Sequence, residues 1–318
     1  MNSYRTLILM TMLMLYTSCT NDDEYSETSS EDCTTDQVLD TTRGLCNQEL
    51  NLISYYNESI DSGIRKIVTN NIPDHFVGLF GNAPGALSPN TIQATNPKDT
   101  LHITMDPEPA LTPTPLLSTT GNVLGPQYSF GVLLNGVELD PVAAEPFPHQ
   151  GLMSTNVNWE WNLEALNVNL GLDCNNAHVQ PSGKYHYHGA PITYFSEVNS
   201  NQMTLIGYAA DGYPIYYKYA YSDAYNMDSQ VIEMTSSYKL KSGNRPGDGS
   251  TAPCGVYNGI YSNDYEYDYE LGTLDEFNGR IGYTPDGVVT FYYVITDEFP
   301  SIPRYFKGTP SDDFKIGN

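Results

Sequence analysis

From Leu50 to about Pro310 short apolar or tyrosine-rich runs alternate with Gly, Pro, Asn and Asp, and few stretches repeat apolar residues at helical spacing. Twenty-six tyrosines among β-branched neighbours favour strands, because both kinds of side chain pack well on a pleated surface. The pattern predicts a single mainly β domain, antiparallel and sandwich-like or built from mixed sheets, with long Pro/Gly loops and few short helices. Tyr128–Leu134 and Val137–Leu139 flank Asn135-Gly136, a two-residue hairpin turn whose positions both tolerate positive φ. Arg280–Tyr283 and Val288–Thr296 flank Thr284-Pro285-Asp286-Gly287, a second hairpin signal. Along Tyr265-Glu266-Tyr267-Asp268-Tyr269-Glu270 the period is two, which puts tyrosines on one face and acids on the other.

The N-terminus departs from this texture. A basic Arg5, an apolar run from Leu7 to Tyr16 and small polar Thr17-Ser18 precede Cys19, the layout of a cleaved export signal over residues 1–18. The run is too short to span a bilayer, which needs about 20 apolar residues. Cleavage before Cys19 would free that thiol for lipid attachment, and the acidic segment that follows resembles the surface-export tether of Bacteroidota lipoproteins. Tyr16 stands where such signals usually carry Leu, so ordinary secretion with a free Cys19 stays open. Residues 19–49 are acidic, rich in Ser and Thr and poor in apolar groups, and are expected to form a flexible tether ahead of a β-rich domain over residues 50–318.

Charge narrows the partners. Residues 1–18 contain one basic side chain and no acid, so their removal takes the formal charge from −24 to −25. Such a surface repels nucleic acid and anionic lipid but admits cations and neutral molecules. The expected partners are an exogenous small molecule or polymer, with the membrane reached only through lipid on Cys19. The expected location is the outer membrane, facing the cell surface or the periplasm. The other cysteines, Cys33, Cys46, Cys174 and Cys254, are even in number and admit three disulfide connectivities. The favoured one is Cys33 with Cys46, closing a local loop, and Cys174 with Cys254.

Candidate chemistry concentrates in one window. Of six histidines, His178, His186 and His188 fall within eleven residues. In a strand, His186 and His188 share one face and Tyr185 and Tyr187 the other. With Pro181-Ser182-Gly183 as the turn, Gln180 faces Lys184 and His178 stands directly opposite His186. A turn one residue shorter or longer would put His178 on the wrong face. Three imidazoles meeting this way suit a divalent metal, zinc or copper, with a position left for water or substrate. A hydrogen-bonded or merely surface cluster is the alternative.

Gly183-Lys184-Tyr185-His186-Tyr187-His188 resembles the signature for which the YHYH family is named. Asn71-Ile72-Pro73-Asp74-His75, Gly131–Val137, Leu205–Tyr216, Leu274–Arg280 and Phe299–Gly308 are similar to that family too. The resemblance implies export and a histidine-rich site, with no established reaction. It also implies an aromatic contact between Phe277 and Tyr305, where relatives often carry cysteines.

Weaker candidates surround this core. His75 is a possible fourth ligand or a loop histidine beside Asp74; His102 and His149 are given no role. Asp211, and the Asp275, Glu276, Asn278 and Arg280 group, occupy turns from which they could act as acid, base or ligand support, although turn chemistry alone accounts for them. Trp159-Glu160-Trp161 and the Tyr265, Tyr267, Tyr269 stripe could stack on sugar rings or pack the core. No serine nucleophile elbow, phosphate loop, dinucleotide fingerprint or EF-hand is present. The readings that follow are a lipid-anchored extracytoplasmic metalloprotein, a hydrolase or oxidoreductase; a non-catalytic surface binder of glycan or peptide; and metal capture without turnover.

Overall fold

Local hairpins are the units of the fold. A computed structural model describes residues 33, 37–149 and 156–316. The expected signal segment and Cys19 lie outside the described residues. Strands β1 (Tyr56–Asp61), β2 (Ile64–Thr69) and β3 (Asp99–Thr104) form one antiparallel sheet. The principal sheet contains β4 (Gly131–Leu133), β5 (Glu138–Leu139), β6 (Ala177–Val179), β7 (Tyr185–Tyr187), β8 (Leu205–Ala209), β9 (Pro214–Tyr217), β10 (Gly279–Tyr283) and β11 (Val289–Ile295). Its order is β6-β7-β5-β4-β8-β9-β11-β10. The protein is mainly β, as its pattern predicts, and the helical elements of the described residues are three-residue 3-10 turns.

The sheet is mixed. Five of its neighbouring pairs are antiparallel, while β7–β5 and β9–β11 run parallel. Parallel neighbours cannot be joined by a tight turn, so they bring together segments far apart in the chain. In β7–β5, His186 stands beside Glu138 and Tyr187 beside Leu139. Asn71 fastens this junction from outside both strands: its side-chain amide donates to the Tyr185 carbonyl at 2.5 Å and accepts from the Glu138 amide at 3.3 Å.

Turn chemistry sets the hairpins. Between β10 and β11 the Gly287 amide donates to the Thr284 carbonyl at 2.9 Å, and Gly287 takes φ +82°. The β4–β5 turn differs from the expected two-residue form. The Gly136 amide donates to the Leu133 carbonyl at 2.8 Å, and Gly136 takes positive φ while Asn135 does not. The loop is therefore three residues, Leu134-Asn135-Gly136, with glycine filling the left-handed position. Asn135 instead directs its side-chain oxygen to the Val137 amide, 3.1 Å away. The alternating Tyr265–Glu270 segment is a strand only over Tyr265–Tyr267 and pairs with Tyr238–Leu240.

The main core lies against this sheet and includes Phe130, Val132, Leu139, Ile215, Tyr293 and Phe306. Trp161 packs with Phe147, Leu163 and Tyr261 in a second cluster, so the Trp159-Glu160-Trp161 run turns its indoles inward and exposes Glu160.

One expectation about the cysteines is overturned. The disulfides are Cys33–Cys254 and Cys46–Cys174, in place of Cys33–Cys46 and Cys174–Cys254. Gly44 forms a parallel bridge with Asp173, its amide 2.9 Å from the Leu172 carbonyl, which lays residues 44–46 beside 172–174. Within the segment expected as a tether, the described residues 37–49 make backbone bonds to the β unit. Asp40 donates its amide to the Asn167 carbonyl, Gln48 exchanges backbone bonds with Val77, and Arg43 binds Asn176 and the Leu166 carbonyl. Backbone pairing supplies the order that apolar burial could not.

Candidate metal centre

The Tyr-His-Tyr-His alternation divides the work of β7 between its two faces. Tyr185 and Tyr187 are fully buried on one face, their rings edge to face at 5.6 Å. A buried phenol needs a partner, and both have one. Tyr185 donates to Asp173 Oδ2 at 2.8 Å. Tyr187 lies 2.6 Å from His75 Nε2 and accepts from Asn135 Nδ2 at 2.9 Å. These anchors fix the strand, and the opposite face presents the histidines.

His178 on β6 stands opposite His186 on β7, and the Pro181-Ser182-Gly183 turn joins them in the expected register. The Gly183 amide donates to the Gln180 carbonyl at 2.8 Å and Gly183 takes φ +91°, a conformation that favours glycine. His188 follows β7 and returns to the same face. Nε2 of His188 lies 3.0 Å from Nε2 of His186 and 3.2 Å from Nε2 of His178. The three rings are the group of His, Cys, Asp and Glu residues suited to holding an ion among the described residues.

The hydrogen bonds of the three rings bear on whether the group could hold an ion. His178 Nδ1 is 2.9 Å from the Leu170 carbonyl, which can only accept, so the proton sits on Nδ1 and Nε2 carries a lone pair. His186 Nδ1 faces the Lys184 carbonyl at 3.5 Å, a longer contact with the same sense. His188 then has no comfortable neutral form. A proton on its Nε2 leaves its buried Nδ1, which makes no hydrogen bond, without a donor. A proton on Nδ1 leaves three lone pairs facing one another as long as His186 also keeps its proton on Nδ1. A cation held by His178, His186 and His188 would relieve either arrangement, since all three Nε2 atoms could then donate electron density to it.

Two of the three nitrogen-nitrogen separations, 3.0 Å and 3.2 Å, are close to what an ion needs, and all three atoms lie within 4.8 Å of one another. A tetrahedral ion with metal to nitrogen bonds of ~2.0–2.1 Å holds its ligand atoms about 3.3 Å apart. Burial, reinforced by neighbouring charge, holds His186 and His188 well below the ordinary histidine pKa, and burial lowers His178. Neutral imidazole is the ligating form. Three neutral ligands leave an ion its full charge, which supplies Lewis acidity and lowers the pKa of bound water.

Two carboxylates share this face. Glu138 stands beside His186 in the parallel pair, and Asp140, two residues on, donates its amide to the Tyr187 carbonyl at 2.9 Å. Glu138 binds Lys184 Nζ at 2.5 Å. Burial, aided by Glu138, pushes Asp140 up to about 7. A close reading of the sequence has one signal for both: Val137-Glu138-Leu139-Asp140 alternates apolar and acidic residues, which puts the acids on one face.

The other candidates lie elsewhere. His75 is not a fourth ligand: its Nδ1 faces the Phe76 carbonyl at 2.8 Å and its Nε2 the Tyr187 hydroxyl, on the tyrosine side of β7. Asp211 is buried in the β8–β9 turn, where it accepts from Tyr293 Oη at 2.6 Å and the Gly308 amide at 2.8 Å. Asp275 accepts from the Phe277 and Gly279 amides at 3.0 Å each, and Glu276 is exposed. Asn278 bridges the Val294 carbonyl and Thr296. Arg280 binds Tyr292 and the Tyr221 carbonyl rather than Asp275. None of these joins the histidine group. Phe277 packs edge to face on Phe291 beneath Lys307, and the ring contacts of the described residues do not pair it with Tyr305.

The fold and site thus define a mixed-sheet β protein carrying a three-histidine centre on an edge hairpin. The model of the YHYH protein family matches residues 108–308, more than half of the chain, and the chain belongs to that family. No curated protein and no solved structure shows a significant match. No helix among the described residues is long and apolar enough to cross a membrane.

Proposed function

We propose that this chain is an extracytoplasmic metalloprotein, lipid-anchored through Cys19, in which His178, His186 and His188 hold a zinc or copper ion that acts as a hydrolytic or redox centre on an exogenous substrate. The observation that carries this reading is the convergence of three imidazole Nε2 atoms, that of His188 lying 3.0 Å and 3.2 Å from the other two, in a group that could hold an ion. The two disulfides support an oxidising compartment. The test is elemental analysis, with an X-ray absorption measurement at the metal edge, on the purified chain and on the His186→Ala, His188→Ala double variant. About one ion per chain with nitrogen neighbours near 2.0 Å is expected in the first and a trace in the second; equal content in both removes the metal reading.

A second reading, capture of a glycan without turnover, draws on a groove of about 600 Å³ lined by Tyr238, Tyr265, Tyr267, Phe299 and Tyr305. The Tyr265 and Phe299 rings stack there at 3.9 Å. Glycan-array binding that survives the double histidine variant favours this reading.

A further inference from the structure

A cavity of about 270 Å³, just under the usual range of ligand pockets, opens with His186, alone of the three histidines, in its wall. Its other polar lining includes Asp99, Glu138, Asp140, Gln180 and Lys184. Lys184 is already shared between Glu138 at 2.5 Å and Asp99 at 3.6 Å. Asp313 and Lys315, also on the wall, face His102 and Asp312 respectively. That leaves Asp140. It is 7% exposed, makes no ion pair among the described residues, and accepts on Oδ2 from Gln180 Nε2 at 3.3 Å. Its Oδ1 is buried and has no hydrogen-bond partner. A carboxylate oxygen without a donor is costly unless something outside the chain supplies one.

We propose that this cavity is the substrate pocket of the histidine centre and that it takes a small organic cation, an amine whose ammonium group donates to Asp140 while the rest of the molecule lies toward His186. The assignment rests on the metal reading above for its catalytic meaning, and on the cavity wall alone for its ligand class. Four acidic side chains and two ammonium groups line it, so the wall has an acidic excess. An ammonium matches that excess and, with a small turn of the Asp140 carboxyl, gives Oδ1 the donor it lacks, whereas an anion would meet Asp99, Glu138 and Asp140 together. The burial that pushes Asp140 toward neutrality is relieved when a cation arrives beside it.

The test is calorimetric titration of the full mature chain with diaminobutane, beside butanediol as a neutral match in length and glutarate as an anion. Ion content is measured on the same samples. Saturable diaminobutane binding is expected, at least tenfold weaker in Asp140→Asn and several-fold weaker in Asp99→Asn, with both variants melting cooperatively and keeping their ion. Butanediol and glutarate should show no saturation at the same concentrations. Absence of diamine binding to protein with its full ion content overturns the pocket assignment and leaves the metal reading intact. Equal diamine binding by wild type and both variants, or butanediol binding as tightly, overturns it too. Diamine binding by protein that holds no ion sinks the metal reading and retains only the ligand class. Should Asp140→Asn fail to fold, the Asp99→Asn comparison carries the test.

Discussion

Two buried polar clusters in this molecule resemble each other in composition and differ in closure. Arg245 and Asp264, 2% and 0% exposed at their side chains, meet through Nε–Oδ1 at 2.7 Å and Nη2–Oδ2 at 2.6 Å. The Cys254 carbonyl, Asn258 and the Gly259 amide complete their valences. Every partner comes from the chain itself, so the pair needs nothing more. The histidine centre is as deeply buried at His186 and His188, yet leaves His188 Nδ1 and Asp140 Oδ1 unmatched and turns three ring nitrogens on one another. Burial does not separate the two clusters; hydrogen-bond closure does.

Breaking the closed cluster should have the largest effect. Asp264→Ala leaves the Arg245 guanidinium buried without a counter-charge and should cost roughly 3–5 kcal/mol in denaturant-induced unfolding, while the folded fraction keeps its ion. Loss of the ion along with Asp264 would show that the two clusters are not independent. The open cluster should respond instead to its ligand. Chelation should lower wild-type stability by about 2.7 kcal/mol relative to an ion concentration of 100 times Kd, and should not change the melting temperature of the His186→Ala, His188→Ala variant.

Acid should act on the chelated protein with a definite sign. His186 and His188 titrate in the fold well below their ordinary 6.5. Below pH 6.5 the unfolded chain therefore takes up protons that the folded chain refuses. Stability is fully present above 6.5 and falls with pH, by up to about 1.4 kcal/mol per histidine per unit, until the folded rings protonate. A double-alanine variant with the same acid slope would contradict this. The smallest expected effect lies on the tyrosine face. Tyr187→Phe removes the bonds to His75 and Asn135 and should cost about 1–2 kcal/mol of stability with ion content unchanged. Loss of the ion in this variant would mean that the tyrosine face positions the histidines as well as anchoring them.

What could be read in the chain and what could not divides along sequence separation. The register of His178 against His186 follows from a three-residue turn and the two-residue period of a strand, both local rules. The hairpin at Thr284–Gly287 is local in the same sense, whereas the burial of Trp161 depends on Tyr261, a hundred residues on. The disulfide partners are not, because Cys46 and Cys174 are 128 residues apart and meet only when Gly44 pairs with Asp173. His75 illustrates the limit. Its residue type and its neighbourhood in the sequence permit ligation, but the strand beside it offers a tyrosine hydroxyl.

By itself the amino-acid order determined the β class, the histidine hairpin and the alternation that turns tyrosines one way and imidazoles the other, since each depends on neighbours a few residues apart. Only the tertiary structure decided that Glu138 and Asp140 share the histidine face, that the Leu170 carbonyl sets the proton on His178, and that a cavity lies beside His186. Those facts arise from a parallel strand pair and from loops brought in from afar. Nothing in a strand's own sequence specifies which distant segment will lie next to it, because that choice is made by how the whole set of apolar faces can be buried at once.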